Sequence, residues 1–330
     1  MAYREAQLKV LIGGPKFMVG ESVQIVSKRI PDLKILATPV LVETEENRIK
    51  GDVEDVDIVA AFNAYPFGMS KMKKLKWFQV LMTGYEHILR AGVIKNDILL
   101  TNCAGTVSIP IAEAVMGYLL FFAKKMKTSL ENQKLHKMDR LLGQMRELHD
   151  RTLGVLGLGH IGKVIAQKAK LGFDMQVLGY DKYIHQYEYA DRIYPYNPLD
   201  EVVKASDFMV ISLPLTPETE NLIGERELRS MKPTAYLVNI ARGEILDKIA
   251  FTRALKEGWI AGAAIDVFWG DPTAYVLLPE DELWDLDNLF ITAHNATGTD
   301  RYTMRTGELF CENLARFLRG DPLANVITER

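Results

Sequence analysis

Three glycines in one short turn constrain this chain more than anything else in it. Val155-Leu156-Gly157-Leu158-Gly159-His160-Ile161-Gly162 runs from an apolar strand pattern, Thr152 to Leu156, into a helical one, Lys163 to Lys170. A Gly-x-Gly-x-x-Gly turn in that context bends tightly and lets the backbone approach a pyrophosphate. The helix behind it offers free N–H groups and a positive dipole end. Gly157, Gly159 and Gly162 are therefore read as a dinucleotide cradle, with the backbone N–H groups of His160 and Ile161 facing the pyrophosphate. Asp181 follows the next apolar run, Met175 to Tyr180, and stands 24 residues after Gly157. An acidic side chain there can accept from the adenosine ribose hydroxyls and would repel a 2′-phosphate. NAD is accordingly expected rather than NADP, with Lys182 beside the carboxylate as the one opposing feature.

Length and composition narrow the class. A chain of 330 residues exceeds one typical core, so two domains are expected. Lys and Arg number 40 against 43 Asp and Glu, a net charge of −3, which leaves no basic field for nucleic acid. Cys103 and Cys311 are too few for a disulfide framework and fit a reducing compartment. No cleavable apolar leader is read at the N-terminus, so a cytoplasmic protein is expected. The apolar stretch Ile109 to Ala123 contains Glu113 and stops at Lys124-Lys125, short of the ~20 residues that cross a bilayer. It reads as a buried or interface helix, and no membrane association or metal site is expected.

Strand and helix signals alternate along most of the chain, which implies parallel sheets faced by helices. In the first hundred residues strands are predicted at Leu8–Ile12, Lys34–Ala37, Asp57–Phe62 and Trp77–Leu81, with helices at Gly20–Arg29 and Met69–Leu75. A long helix is predicted over Ile109–Leu130, with a less regular, charged continuation to Asp150. Beyond Thr152, strand signals recur at Asp207–Ser212, Ala235–Asn239, Ile260–Ile265 and Leu289–Thr292, and a helix is read at Ile249–Glu257. A last helix, Asp300–Leu318, ends at Gly320-Asp321-Pro322. The fold class predicted is α/β, with two doubly wound parallel-sheet domains packed closely about a cleft.

Ligands of open α/β sheets bind at the carboxyl ends of strands, so the residues there are the candidates for chemistry. Leu213, Pro214 and Thr219 lie in the segment after the Asp207–Ser212 strand. Ile240, Ala241 and Arg242 follow the next one, and Asp266 and His294 end the two after that. All are read as lying beside the cofactor. An arginine, an aspartate and a histidine on one rim form a reasonable set for hydride transfer to a carbonyl that bears a carboxylate. Guanidinium offers paired donors to a carboxylate, and imidazole titrates near neutrality.

Over nearly all of its length, and most densely from Glu147-Leu148-His149-Asp150-Arg151-Thr152 to His294, the chain resembles the D-isomer-specific 2-hydroxyacid dehydrogenase family. Met231-Lys232-Pro233 through Arg242-Gly243, Gly262 to Phe268, and Leu283-Trp284-Asp285-Leu286 with Asn288 carry that resemblance most specifically. It implies a Rossmann-like NAD domain, about residues 101–296, inserted in a flavodoxin-like substrate domain built from 1–100 and 297–330. It implies an NAD-dependent enzyme that interconverts a small 2-keto acid and its D-2-hydroxy acid, the cleft closing over both ligands. Arg242 would grip the substrate carboxylate, His294 would act as general acid/base, and Asp266 would accept from the nicotinamide carboxamide. The family's orienting glutamate is replaced by Asp271, one methylene shorter, and Ala293 and Asn295 are further departures beside the histidine. Thr83, Gly84 and Tyr85 match the loop whose backbone N–H groups bind the substrate carboxylate. Asn63, Tyr65, Trp269 and Tyr275 are candidates to shape the pocket, or to pack. The helix starting near Ile109 resembles the arm through which relatives form homodimers. Oxidation of 3-phosphoglycerate by a short form, and a corepressor-like protein that senses the dinucleotide with weak activity, stand as the alternatives.

Overall fold

The computed structural model describes residues 8–95, 97–195, 198–270 and 277–328. It divides into two compact units, one made of Met1–Val107 with Thr299–Arg330 and the other of Ser108–Gly298. The second is thus inserted in the chain of the first.

The first unit holds a five-stranded sheet of β1 (Lys9–Gly13), β2 (Lys34–Thr38), β3 (Ile58–Ala61), β4 (Trp77–Val80) and β5 (Leu99–Thr101). The strands are all parallel in the order β2-β1-β3-β4-β5, the flavodoxin-like winding. Strands β3 and β4 are buried along their whole length, which explains their unbroken apolar sequences. Helices α1 (Lys16–Arg29), α2 (Pro66–Met69) and α3 (Glu86–Arg90) connect them. One apolar cluster packs Trp77 and Ile58 against Phe310 and Phe317 of the chain's last helix. A second gathers Tyr65, Phe78 and Ile88.

The second unit begins with α4 (Ser108–Ala123) and α5 (Met126–Lys134). Seven parallel strands follow: β6 (Thr152–Leu156), β7 (Gln176–Tyr180), β8 (Arg192–Tyr194), β9 (Phe208–Ile211), β10 (Tyr236–Asn239), β11 (Gly262–Ile265) and β12 (Leu289–Ile291). Their order is β12-β11-β10-β9-β6-β7-β8, a doubly wound Rossmann-like sheet whose winding reverses between β6 and β9. Helices α6 (His160–Phe173), α7 (Leu199–Ala205), α8 (Glu225–Ser230) and α9 (Lys248–Lys256) cover the faces of this sheet. Helix α10 (Tyr302–Arg319) returns the chain to the first unit and ends at Gly320 in the left-handed conformation.

Two sequence expectations change. The helix expected over Ile109–Leu130 is broken: α4 ends at Ala123, and Lys125 takes φ +52° before α5 starts. The buried apolar face of α4 runs out at Phe122 and Ala123, and the two lysines that follow turn the chain toward water. The helix expected at Met69–Leu75 instead spans Pro66–Met69, because proline is favoured in a helix's first turn. Lys71 to Leu75 are turns and irregular chain. Among the described residues no helix is long and apolar enough to cross a membrane.

Candidate active site

The glycine turn lies at the switch point of the larger sheet. Gly157 takes φ +94°, and a Cβ there would come 2.8 Å from the carbonyl oxygen of Ser212, the residue following β9. A Cβ on Gly162 would overlap the carbonyl oxygen of Gly157. These two positions therefore need glycine for different reasons, a left-handed backbone and a helix-to-turn contact. Helix α6 starts at His160 with no side-chain cap, so its first N–H groups are left for another acceptor.

Beside the turn is a cavity of about 450 Å³, lined among others by Gly157, Gly159, His160, Asp181, Leu213, Pro214 and Thr219. A Cβ at Gly159 would meet no protein atom within 4 Å, so the wall is open there. Asp181 is already engaged: its Oδ2 accepts from Leu158 N at 2.7 Å, and its Oδ1 from Tyr183 N at 2.8 Å and Ile184 N at 2.9 Å. A carboxylate has about four acceptor sites, so one stays available on Oδ2. The Thr219 hydroxyl is a loop clasp: it donates to Pro214 O at 2.6 Å and accepts from Thr216 N at 2.8 Å. Across the loop, the Glu218 carboxyl is held below its ordinary range by the Thr216 hydroxyl and its own backbone, with Lys182 adding to the effect. Lys163, Tyr183, Ile184, Thr216 and Glu218 also line this cavity, and the glycine pattern does not signal them.

Arg242 stands at the end of the segment after β10, in extended backbone immediately before a short 3-10 turn, Gly243–Ile245. Asn239, fully buried, fixes that segment from inside. Its Oδ1 accepts from Ala241 N at 3.0 Å, and its Nδ2 donates to Arg242 O at 2.8 Å. Ile240 and Ala241 are buried between them.

His294 is half-buried in the turn after β12 and takes φ +53°, a left-handed conformation unusual for a side chain of this size. The buried Asp266 carboxylate holds that turn. Oδ1 accepts from the Thr292 hydroxyl at 2.6 Å and from Asn295 N at 2.9 Å, and Oδ2 from Ala296 N at 3.0 Å. Burial lowers the His294 pKa from 6.5. The Asp266 carboxylate and backbone oppose this, and the Arg242 guanidinium reinforces it. Asp266 and Arg242 thus both stand close enough to act on the His294 imidazole.

Asp271 and Tyr275 lie outside the described residues. In the first unit, Thr83, Gly84 and Tyr85 follow β4 and are half-buried. The Thr83 carbonyl accepts from Asn102 Nδ2 at 2.6 Å, which ties this loop to the residue after β5. Tyr65 is wholly buried, its hydroxyl donating to Val40 O at 2.6 Å, which is packing.

Residues 116–296 match the family model for the D-isomer specific 2-hydroxyacid dehydrogenase NAD binding domain. The chain belongs to the D-isomer-specific 2-hydroxyacid dehydrogenase family. A glyoxylate reductase from Korarchaeum cryptofilum is 33% identical over 288 residues, covering 84% of each chain. Among solved structures, a D-isomer specific 2-hydroxyacid dehydrogenase family protein from Aeromonas salmonicida superposes with TM-score 0.85 at 28% identity, over 97% of this chain and 99% of that one. The NADPH-dependent glyoxylate/hydroxypyruvate reductase from Sinorhizobium meliloti, solved with NADP and sulfate, shares the fold. Its TM-score is 0.79 at 23% identity, over 97% and 98% of the two chains.

Two features of this dehydrogenase escape a reading of its sequence. Asn239 sits inside a recognisable phrase but reveals its clasp only once its side chain is placed under Arg242. Tyr118 is one aromatic in an apolar helix, yet its hydroxyl lies 3.0 Å from that of Thr292, 174 positions away.

Proposed function

We propose that the chain is an NADH-dependent D-2-hydroxyacid dehydrogenase that reduces a small 2-keto acid of the glyoxylate or hydroxypyruvate kind. The observation that carries this reading is the His294 turn, fastened by the Asp266 carboxylate and within reach of the Arg242 charge, on the rim of a sheet whose switch point holds the Gly157–Gly162 cradle.

The cradle suits a dinucleotide. Free N–H groups at His160 and Ile161, the open wall at Gly159 and the one acceptor site remaining on Asp181 would hold its pyrophosphate and ribose. Leu213, Pro214, Thr219, Ile240 and Ala241 would line its course, and the remaining acceptor site of Asp266 would take a carboxamide N–H. When bound, the nicotinamide supplies or accepts the hydride. Arg242 would bind the substrate carboxylate through paired N–H donors and polarise the adjacent carbonyl. Thr83, Gly84 and Tyr85, in the unit proposed to serve the substrate, would be further donors to that carboxylate. The protonated His294 would give its proton to the carbonyl oxygen in reduction and, when neutral, take the hydroxyl proton in oxidation. Asp271 is proposed to orient the imidazole.

Asp181 supports NAD over NADP, since a carboxylate disfavours a 2′-phosphate. The exposed apolar side chains Ile109, Met126 and Leu130 on α4 and α5 support a homodimer formed through those helices. A cytoplasmic location goes with this reading.

The test is a panel of 2-keto acids, including glyoxylate, hydroxypyruvate and the 3-phosphoglycerate couple, assayed with NADH and NADPH. Turnover of a small keto acid with NADH is expected, and His294→Gln should cut kcat by about 100-fold or more with cofactor affinity nearly unchanged. No turnover by the parent protein, or full turnover by the variant, would refute the reading.

A further inference from the structure

We propose that Tyr118, acting through Thr292 and Asp266, is a positioning residue for His294. The geometry is a directed chain of hydrogen bonds that crosses the second unit from α4 to the turn after β12. This inference rests on the proposed acid/base role of His294 and extends it to a helix that touches neither ligand.

The direction of the chain follows from counting hydrogens. The Thr292 hydroxyl has one hydrogen, and at 2.6 Å from Oδ1 of Asp266 it is given to the carboxylate. The backbone oxygen of Ile265, at 3.5 Å, is the poorer acceptor. Thr292 Oγ1 can therefore only accept from Tyr118, whose hydroxyl stands 3.0 Å away. Tyr118 is able to keep that role, because burial raises its pKa, so the phenol stays protonated as a donor over the working range. Its ring is fixed edge-on to Phe290 of β12 at 5.7 Å, which limits where the hydroxyl can point. A donor that is itself hydrogen-bonded is polarised and gives a stronger bond onward, so the phenol strengthens the Thr292–Asp266 contact.

Asp266 passes the effect on. It is buried, and its carboxylate fastens the backbone N–H groups of Asn295 and Ala296, on the far side of His294 from Thr292. His294 N donates to Thr292 O at 3.0 Å, which closes the turn. The left-handed conformation of His294 costs on the order of 1 kcal/mol or more and persists because both flanks are pinned. Among the described residues, the charges that act on its ring are Asp266, which favours the imidazolium, and Arg242, which opposes it. Loosening the carboxylate would thus lower the histidine pKa and misplace the ring together. Sequence gives no sign of this link, since Tyr118 stands in an apolar run that reads as packing.

The test uses the full chain with Tyr118→Phe, Thr292→Val and Thr292→Ser. His294 is titrated directly by NMR of its ring, in parallel with the pH profile of kcat/KM. Tyr118→Phe keeps the ring and should move the His294 titration down by about 0.3 pH unit, with a two- to threefold loss of kcat/KM at neutral pH. Thr292→Val should shift it further, with roughly tenfold lower activity, and Thr292→Ser should restore most of both. Adding Tyr118→Phe to Thr292→Val should change little more, because the two act in series. A His294 titration identical to that of the parent in Tyr118→Phe, with thermal melting unchanged, overturns the proposal. A titration that moves while the kinetic limb stays fixed upholds the chain of bonds and removes His294 from the chemistry instead.

Discussion

The proposed mechanism has His294 donate a proton from a position that disfavours carrying one. Burial and the Arg242 charge push its pKa below 6.5, and Asp266 pulls it back only in part. The kinetic consequence has a sign. Reduction needs the imidazolium, so kcat/KM for keto-acid reduction should fall as pH rises through a value below 6.5, while oxidation should rise over the same interval. If Asp271 pairs with the ring, Asp271→Asn should move that limb to still lower pH, and an unmoved limb would exclude the pairing. The same shift appears in stability. Between the folded value and 6.5 the unfolded chain binds more protons, so stability rises with pH across that window and is level above it. His294→Gln should abolish this slope in denaturant titrations. Arg242 is the partner in this arrangement. Arg242→Ala should lower kcat/KM by about 100-fold or more, raising KM as well as lowering kcat, because the proposed mechanism gives the guanidinium both binding and polarisation. It should also raise the His294 titration, a readout independent of turnover.

At the scale of single elements, the segment after β10 owes its shape to one amide. Asn239 is fully buried at the strand's last position and clasps Ala241 N and Arg242 O. Asn239→Ala would strand both groups, at a cost of about 1–3 kcal/mol. It should raise KM for the keto acid and, because the same segment carries Ile240 and Ala241, also weaken NADH binding as measured by fluorescence. Unaltered keto-acid kinetics would show that the loop keeps its shape without the clasp. Elements also show what a sequence can reveal. The strands that line up under the site, β6, β9, β10 and β11, are short and buried on both faces, so uninterrupted apolar runs marked them within a residue or two. Of the three-residue edge strands, β12 was marked by its apolar residues, β5 has only the short run Ile98-Leu99-Leu100 with Leu99 exposed, and β8 opens on the exposed Arg192. Glycines marked the cradle because backbone geometry demanded that residue type. The clasp on Thr219, the three N–H groups on Asp181 and the Tyr118–Thr292 link depend on side chains meeting across the fold, and spacing along the chain does not encode such meetings.

Across the whole molecule, each unit owns its hydrophobic core, and the first is assembled from both ends of the chain. A buried polar network fastens those ends together. Trp77 Nε1 donates to Thr101 Oγ1 at 2.7 Å, Thr101 donates to Gln79 Oε1 at 2.8 Å, and Asn313 Nδ2 donates to the same oxygen at 3.1 Å. Asn313, fully buried on α10, also exchanges bonds with Ala324, donating to its oxygen at 3.1 Å and accepting from its N–H at 2.7 Å. Removing that amide takes their partner from the half-buried N–H and oxygen of Ala324, leaves Gln79 Oε1 with Thr101 alone and opens a hole in the core, which costs about 2–4 kcal/mol. The larger unit responds to something else, since a dinucleotide at 100 times its Kd would add about 2.7 kcal/mol to whichever unit binds it. Two perturbations should therefore separate in calorimetry. Asn313→Ala should lower one transition by on the order of 10 °C, and saturating NADH should raise another without rescuing the first. NADH affinity should be the same in Asn313→Ala as in the parent, because the cradle proposed for it lies wholly in the Ser108–Gly298 unit. A single transition that moves as one under both perturbations would mean that the two cores unfold as one cooperative body despite their separate packing.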